Sequence, residues 1–268
     1  MRIEIDYTKS IEANASDYEQ KAKKAKRKLS GLLKALNDTE KKIVRIKEKK
    51  SFKETVAEKK ILTKKRKREW FEKFHWSTTS NNLLLIGGRD ETSNEILVKN
   101  YLEKDDLYFH ADIQGAAHVI LKTKNNTAPE TSLREAATFS ACYSKAWQNN
   151  YASVDVYSVL PEQVSKKAMP GEFLGKGAFM IYGKRVWYRN TPLVFALGLR
   201  KDLTLLSGSP ESVKKHCKHY LTFKPGREKK SLIAKSTLKL FEEKTKQKLS
   251  ITLDEIISML PGDVVIVK

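Results

Sequence analysis

The sequence predicts an α+β protein: a long N-terminal antiparallel helical hairpin (coiled coil) followed by a mixed α+β globular domain. Three observations carry this prediction. A heptad seam runs unbroken from Ile11 to Ile46. Short strand-like runs separated by Gly and Asn turns fill the middle of the chain. Helical and strand-like segments then follow one another in no regular βαβ order.

The first element is an alternating stretch, with Ile3, Ile5 and Tyr7 set against Arg2, Glu4 and Asp6, which suits a short strand or an extended lead-in. From about Thr8 the period changes. Ile11, Ala15, Tyr18, Ala22, Ala25, Leu29, Leu32, Leu36, Thr39, Ile43 and Ile46 are spaced 4-3-4-3, which predicts one helix to about Lys50, roughly 60 Å long at ~1.5 Å per residue. Ser51-Phe52-Lys53-Glu54 has the form of a capping box. It predicts a second helix to about His75, with the hairpin tip near Lys49–Ser51. Beyond it, strands are expected at 83–86, 106–110, 118–122, 153–159, 179–182, 185–188, 193–199 and 203–207, and helices at 95–102 and 129–148. Gly183-Lys184 reads as a hairpin turn between two of these strands. The remainder predicts a helix at 210–217, a strand at 220–223, a basic helix at 228–246, a helix at 253–259 and an edge strand at 264–267. Expected domains are thus a basic hairpin arm (1–75), an α+β core (76–208) and a basic helical extension packed on that core (209–268).

Charge is segregated along this plan. Of a net +20, residues 1–75 hold 24 Lys and Arg against 12 acids, residues 76–213 hold 15 against 14, and residues 214–248 hold 12 against 3. A near-neutral body flanked by cationic segments points to a polyanionic partner. Lys64, Lys65, Arg66, Lys67 and Arg68 are the densest run; cations so close on a helix repel one another, and an anionic partner relieves that repulsion. No apolar run approaches the ~18 residues of a membrane span, and the N-terminus is too charged for a signal peptide. Two cysteines, Cys142 and Cys217, form no disulfide framework and suit a reducing cytoplasmic setting.

Familiar catalytic motifs are missing. Gly171-Glu172-Phe173-Leu174-Gly175-Lys176-Gly177 is one residue short of a P-loop and lacks its Ser or Thr. No G-x-S-x-G, H-E-x-x-H or paired C-x-x-C occurs. His110 and Asp112, two apart on an extended segment, share a side, and His118 can return opposite them on a hairpin. The set suits a metal or an acid–base pair, but orienting a turn, hydrogen bonding within the core or facing a nucleic-acid phosphate fits the pattern better. No cofactor and no metal is expected. Tyr143 and Trp147, one helical turn apart, read as core rather than as a base-stacking pair, and Cys142 as structural.

A run of blocks in the middle of the chain carries a family resemblance. These are Leu83-Leu84-Leu85-Ile86-Gly87-Gly88-Arg89-Asp90, Asn94-Glu95-Ile96-Leu97-Val98, Asp106-Leu107-Tyr108-Phe109-His110-Ala111-Asp112, Gly115-Ala116, Glu135-Ala136-Ala137, Tyr143-Ser144-Lys145-Ala146-Trp147, Gln163-Val164-Ser165-Lys166, Pro170-Gly171-Glu172-Phe173 and Gly177-Ala178-Phe179-Met180-Ile181. In this order and spacing, over about residues 70–200, they resemble the NFACT-R (DUF814) domain of the NEMF and RqcH group of ribosome quality control factors, once described as fibronectin-binding proteins. Residues 10–75, with Asn14-Ala15 and Trp70-Phe71-Glu72-Lys73-Phe74, resemble that group's middle coiled coil. Full-length members begin with an NFACT-N domain and a helix-hairpin-helix domain, so the chain looks like the C-terminal half of a longer factor. The Asp-Arg pair linked to tRNA handling belongs to that other half and is assigned to no residue here.

The resemblance implies a non-enzymatic RNA- and ribosome-binding module that engages obstructed large ribosomal subunits and tRNA in the cytoplasm. Expected partners are large-subunit rRNA and tRNA, with the NFACT-N half or a second copy of the chain as further candidates. Beside Lys64–Arg68, the candidate nucleic-acid contacts are Arg89 after Gly87-Gly88, His110 at a strand end, Lys166 and Lys167 before Pro170-Gly171, and Lys176, Lys184 and Arg185 beside glycines. Two other classes fit parts of the sequence: a dimerisation or protein-interaction scaffold acting through the heptad seam, and an enzyme acting on nucleic acid through His110, Asp112 and His118.

Overall fold

The computed structural model describes residues 4–61, 69–167 and 174–267, with only the backbone of 44–61. The chain divides into two compact units, residues 1–66 and 67–268.

The first unit is one helix, α1 (Ile11–Ile61). Its start is built locally. Asp6 accepts hydrogen bonds from the Thr8 N–H (3.1 Å) and hydroxyl (2.5 Å). Asn14 closes the turn by accepting from the Asp6 N–H (3.0 Å) and donating to the Asp6 carbonyl (2.8 Å). The Ser10 hydroxyl caps the Ala13 N–H (3.2 Å). Residues 7–9 form this turn and residues 4–6 lie in neither strand nor helix, so of the two expectations for the start of the chain the strand does not form among the described residues.

The long helix is present, but it passes through Lys49–Ser51 without the predicted hairpin tip. No Gly or Pro lies between Leu32 and Ile61 to stop it, and Ser51 caps only where its own backbone leaves the helical region. The second helix does not reach His75 either. Trp70–Lys73 is a single 3₁₀ turn, and His75 begins a strand.

The second unit is α+β. Its elements run β1 (His75–Thr78), β2 (Leu84–Gly87), α2 (Glu91–Tyr101), β3 (Leu107–Ala111), β4 (Val119–Leu121), α3 (Glu130–Cys142), α4 (Lys145–Gln148), β5 (Ser153–Val159), β6 (Val164–Ser165), β7 (Met180–Ile181) and β8 (Val186–Pro192). They continue through β9 (Phe195–Leu199), β10 (Leu205–Gly208), α5 (Pro210–His216), β11 (His219–Glu228), α6 (Lys230–Thr245), α7 (Leu253–Met259) and β12 (Val264–Val267). Every strand pair is antiparallel. One sheet has the order β1-β2-β4-β3-β5-β8, a second β10-β9-β11-β12, and β6 pairs with β7.

Strand alternation sets the layers. On the first sheet Leu85, Leu107, Phe109, Ala111, Val119 and Val156 face one core, which they share with α3 (Ala136, Phe139, Cys142), with Phe195, Leu197 and Phe223 of the second sheet, and with α6 and α7. Each large side chain so buried contributes about 1.5–3 kcal/mol. Residues 210–267 thus belong to the same compact unit as the first sheet.

Two local expectations are corrected here. The 129–148 helix breaks after Cys142, because Ser144 starts a new turn by accepting from the Ala146 N–H (3.2 Å). Gly183 does take the left-handed conformation (φ 74°), yet the flanking strands do not pair with each other. β7 pairs with β6 and β8 with β5, because the Gln163 amide bridges the turn by donating to the carbonyls of Tyr182 (2.7 Å) and Lys184 (2.9 Å). Among the described residues no helix is long and apolar enough to cross a membrane.

Candidate nucleic-acid interface

The opposite face of the first sheet holds the site. The alternation that sends Leu107, Phe109 and Ala111 into the main core turns Tyr108 and His110 to the other face, where Tyr108 and Tyr157 are buried in a second cluster with Val98 and Val159. His110 pairs in register with Tyr157, and Tyr157 with Trp187. The β3–β4 register (Tyr108 with Ile120) carries His118 opposite His110. A transverse row of four rings results. His118 and His110 are 5.0 Å apart, His110 and Tyr157 5.8 Å, and Tyr157 and Trp187 5.4 Å, the last edge-to-face.

The histidines of this row are neutral at physiological pH. Burial pulls His110 down to about 4, with the Ala111 backbone and Asp112 opposing. Burial, then the neighbouring His110, pulls His118 down to about 3, with the Gly177 backbone opposing. Burial also raises the Tyr108 phenol well above its ordinary value. Tyr108 therefore keeps its proton and donates it to His118 Nδ1. His110 Nδ1 is buried and has no hydrogen-bond partner among the described residues. Asp112 is exposed. The three do not form a ligand set; among the described residues no group of three His, Cys, Asp or Glu is placed to hold a metal.

Cations lie over the rings. The Arg185 guanidinium is 4.5 Å from the Tyr157 centroid and 5.9 Å from that of Trp187. Arg189 is 4.0 Å from Trp187 and ion-paired to Asp155 at 2.6 Å. Lys166 lies 5.0 Å from the Phe179 ring, and Phe179 meets His118 edge-to-face at 5.4 Å.

The segment around Gly177 is clamped to α2. The Gly177 N–H donates to Glu95 (3.1 Å), and Lys166 donates to the carbonyls of Gly175 and Ala178 (both 3.1 Å) and stands 3.5 Å from Glu95. Glu95 is held down at about 2 by its hydrogen bonds from Lys99 and the Gly177 N–H. Gly177 has φ 74°, and a Cβ there falls 2.6 Å from the Glu91 carbonyl oxygen, so only glycine fits.

The expected contact residues separate into groups. Arg185 and His110 join the ring row. Lys166 is engaged internally. Lys167, Lys176 and Lys184 are exposed. Arg89 is exposed at its turn but donates to the carbonyls of Phe74 (3.1 Å) and Glu72 (3.4 Å). Its neighbour Asp90 caps α2 through the Ser93 N–H (2.7 Å). Lys64, Lys65, Arg66, Lys67 and Arg68 lie outside the described residues, as do Pro170–Phe173.

Tyr143 and Trp147 are core residues. They are buried, and they donate to the carbonyls of Met259 (2.7 Å) and Asp263 (2.9 Å). Cys142 is buried, with its thiol pKa pushed up by burial. Sequence reasoning missed Tyr157, Trp187 and Arg189; their signal was alternation along two strands whose pairing was not legible.

An antiparallel α+β domain with a cation-covered aromatic sheet face is the class that fold and site define. Residues 73–183 match the family model described as "NFACT protein RNA binding domain". The archaeal Rqc2 homolog aRqcH of Methanocaldococcus jannaschii is 38% identical over 200 residues, which are 74% of this chain and 29% of that protein. The ribosome quality control complex subunit NEMF of Mus musculus is 41% identical over 181 residues, 65% of this chain and 16% of that one. The chain thus spans less than a third of the length of these relatives. A solved structure, the C-terminal part of the fibronectin/fibrinogen-binding protein from Streptococcus suis, is similar at a TM-score of 0.40 and 20% identity, covering 58% of this chain and 52% of that one.

Proposed function

We propose that the chain is the RNA- and ribosome-binding module of a ribosome quality control factor. It acts in the cytoplasm, engages obstructed large subunits and tRNA, and performs no catalysis of its own. The single observation that carries this reading is the match of residues 73–183 to the NFACT RNA-binding family model, a stretch set between a first segment of 24 cations against 12 acids and a later one of 12 against 3. Such a distribution favours contacts to backbone phosphate without readout of sequence. Lys64–Arg68, Lys167, Lys176 and Lys184 are assigned phosphate contacts, and Arg89 a turn-stabilising role with one face open to RNA.

The test is co-sedimentation with purified large ribosomal subunits, alongside tRNA binding at graded salt. With the assigned phosphate contacts engaged, affinity is expected to fall roughly 10³–10⁵-fold between about 50 and 200 mM salt. Reversing Lys64, Lys65, Arg66, Lys67 and Arg68 to Glu is expected to abolish most sedimentation while leaving the melting of residues 67–268 unchanged. Salt-independent binding, or sedimentation untouched by the five reversals, overturns the assignment.

A further inference from the structure

The four tryptophans of the chain differ in what covers them. Trp147 is buried in the core, and Trp187 lies beneath the guanidiniums of Arg185 and Arg189. Trp76 has Arg200 5.5 Å from its ring and Phe71 edge-on at 5.1 Å. Trp70 is 44% exposed, and among the described residues no cation stands over it. Its indole lies parallel to the Tyr101 ring, with centroids 4.6 Å apart and an interplanar angle of 8°, and Phe71 stands at right angles to it at 5.7 Å. The stack with Tyr101 covers one face of the indole, so its exposure falls to the other face and the rim.

The exposed ring is also fixed in place. Trp70 opens the 3₁₀ turn Trp70–Lys73. The Glu69 N–H donates to the Glu72 carboxylate (3.3 Å) and the Phe74 N–H to the Phe71 carbonyl (2.9 Å). Arg89 donates to the carbonyls of Glu72 (3.4 Å) and Phe74 (3.1 Å). Phe71 and Phe74 anchor the turn in a small core with Ile86, Leu97 and Ile120. Tyr101 ends α2, and its carbonyl accepts from Lys122 (3.0 Å). Lys73, exposed beside the stack, donates to the Tyr101 hydroxyl (2.7 Å) and has no carboxylate partner among the described residues. A flat apolar surface that is rigid before a ligand arrives loses little further freedom when it is covered.

We propose that the open face of Trp70 is a stacking platform for one unpaired base of an RNA, with Lys73 taking the phosphate beside it. Base, Trp70 and Tyr101 then form one column. This rests on the RNA-binding reading above and narrows it to a place and to a single-stranded ligand.

Charge and shape select that occupant. Lys64-Lys65-Arg66-Lys67-Arg68 ends two residues before Trp70, so the chain that leads into the turn is its most cationic stretch. Of the carboxylates nearest in sequence, Glu72 accepts the Glu69 N–H and Glu103 is paired with Lys122 at 3.1 Å. A protein partner covers about 800 Å² on each side, far more than one indole. A single flat ring beside an ammonium group instead offers a base a π-face and a phosphate a charge. Within a duplex both faces of each base are already stacked, whereas an unpaired base has one to give. Every base has such a face, so the platform holds RNA without reading its sequence.

The experiment uses the whole chain, a labelled single-stranded RNA of about six nucleotides, and a duplex RNA of about twelve base pairs as the comparison. Trp70→Ala is expected to weaken the single strand about tenfold and Trp70→Phe, which keeps a ring, about threefold or less, while the duplex changes by less than about twofold. Lys73→Gln is expected to cost the single strand about threefold and to lower its salt slope by ~0.7; an unchanged slope removes Lys73 from the site. Ultraviolet crosslinking of the unaltered chain, which depends on no variant's folding, is expected to join the single strand to the segment 69–73. Equal affinity of Trp70→Ala and the unaltered chain for the single strand, an equal loss for the duplex, or crosslinks absent from 69–73 overturns the platform. Binding of the duplex without the single strand overturns the platform and leaves the RNA-binding reading standing. Binding of neither removes both. A blue shift of tryptophan emission on concentrating the RNA-free chain, absent in Trp70→Phe, shows that a second copy covers the ring and overturns the proposal.

Discussion

The N-terminal helix and the folded body use the same kind of apolar side chain in opposite ways. In α1, Leu32 is 66% exposed and Leu36 60%, although both sit on an unbroken seam. In the body, Phe109 and Phe139 are wholly buried, on segments whose sequence patterning is no stronger. Periodicity specifies which face of an element is apolar; it does not specify what covers that face. In the body, three layers built from strands far apart in sequence do the covering.

The largest way to sharpen this contrast is acid. His75, His110 and His118 have native values near 3, 4 and 3, lowered chiefly by burial, against 6.5 in the unfolded chain. A depressed histidine leaves the unfolded state binding more protons, so stability is full above about pH 6.5 and falls as pH drops towards about 4. At ~1.4 kcal/mol per pKa unit, even half of these shifts removes on the order of 5 kcal/mol. Residues 1–66 contain no histidine, and all four tryptophans lie beyond them. Tryptophan emission is expected to report loss of the body between pH 6 and 4, at ~2 pH units above any carboxylate-driven change in helicity of α1. Coincident transitions would break the contrast.

A cavity comes next. Phe139→Ala in α3 is expected to cost the body about 3–5 kcal/mol, read as the shift in its denaturant midpoint. The smallest effect belongs to the helix: Leu32→Ala removes an exposed side chain and is expected to move stability by less than about 0.5 kcal/mol. A loss of 2 kcal/mol or more there would mean that the seam is covered in solution, and light scattering would identify a second copy as the cover.

Much of the fold was legible. Ser153–Val159 and Leu253–Met259 appear with the bounds their sequence predicted, because alternation in one and a Thr252 cap in the other are local signals. Failures came where distant residues decide. Ser51-Phe52-Lys53-Glu54 has the right letters for a helix start but lies within a helix that nothing interrupts. Gly183 has the predicted backbone conformation, yet strands from elsewhere claim both of its neighbours. The site was half legible. His110 and Arg185 were singled out by position beside turns, whereas Tyr157 and Trp187 acquire their role only from the β3-β5-β8 register, which no single segment encodes.

The open flank of β8 has a consequence of another kind. A free sheet edge invites a neighbouring molecule to add its own strand, the first step of aggregation. Here Arg189 and a left-handed Asn190 sit in the middle of that edge, Pro192 ends it, and the pairing with β5 is irregular between Val154 and Val156. Charge, proline and a bulge are the devices that keep such an edge solitary. Arg189 of this strand and Arg185 just before it therefore guard solubility as well, and a variant stripped of both is expected to precipitate at concentrations the parent tolerates.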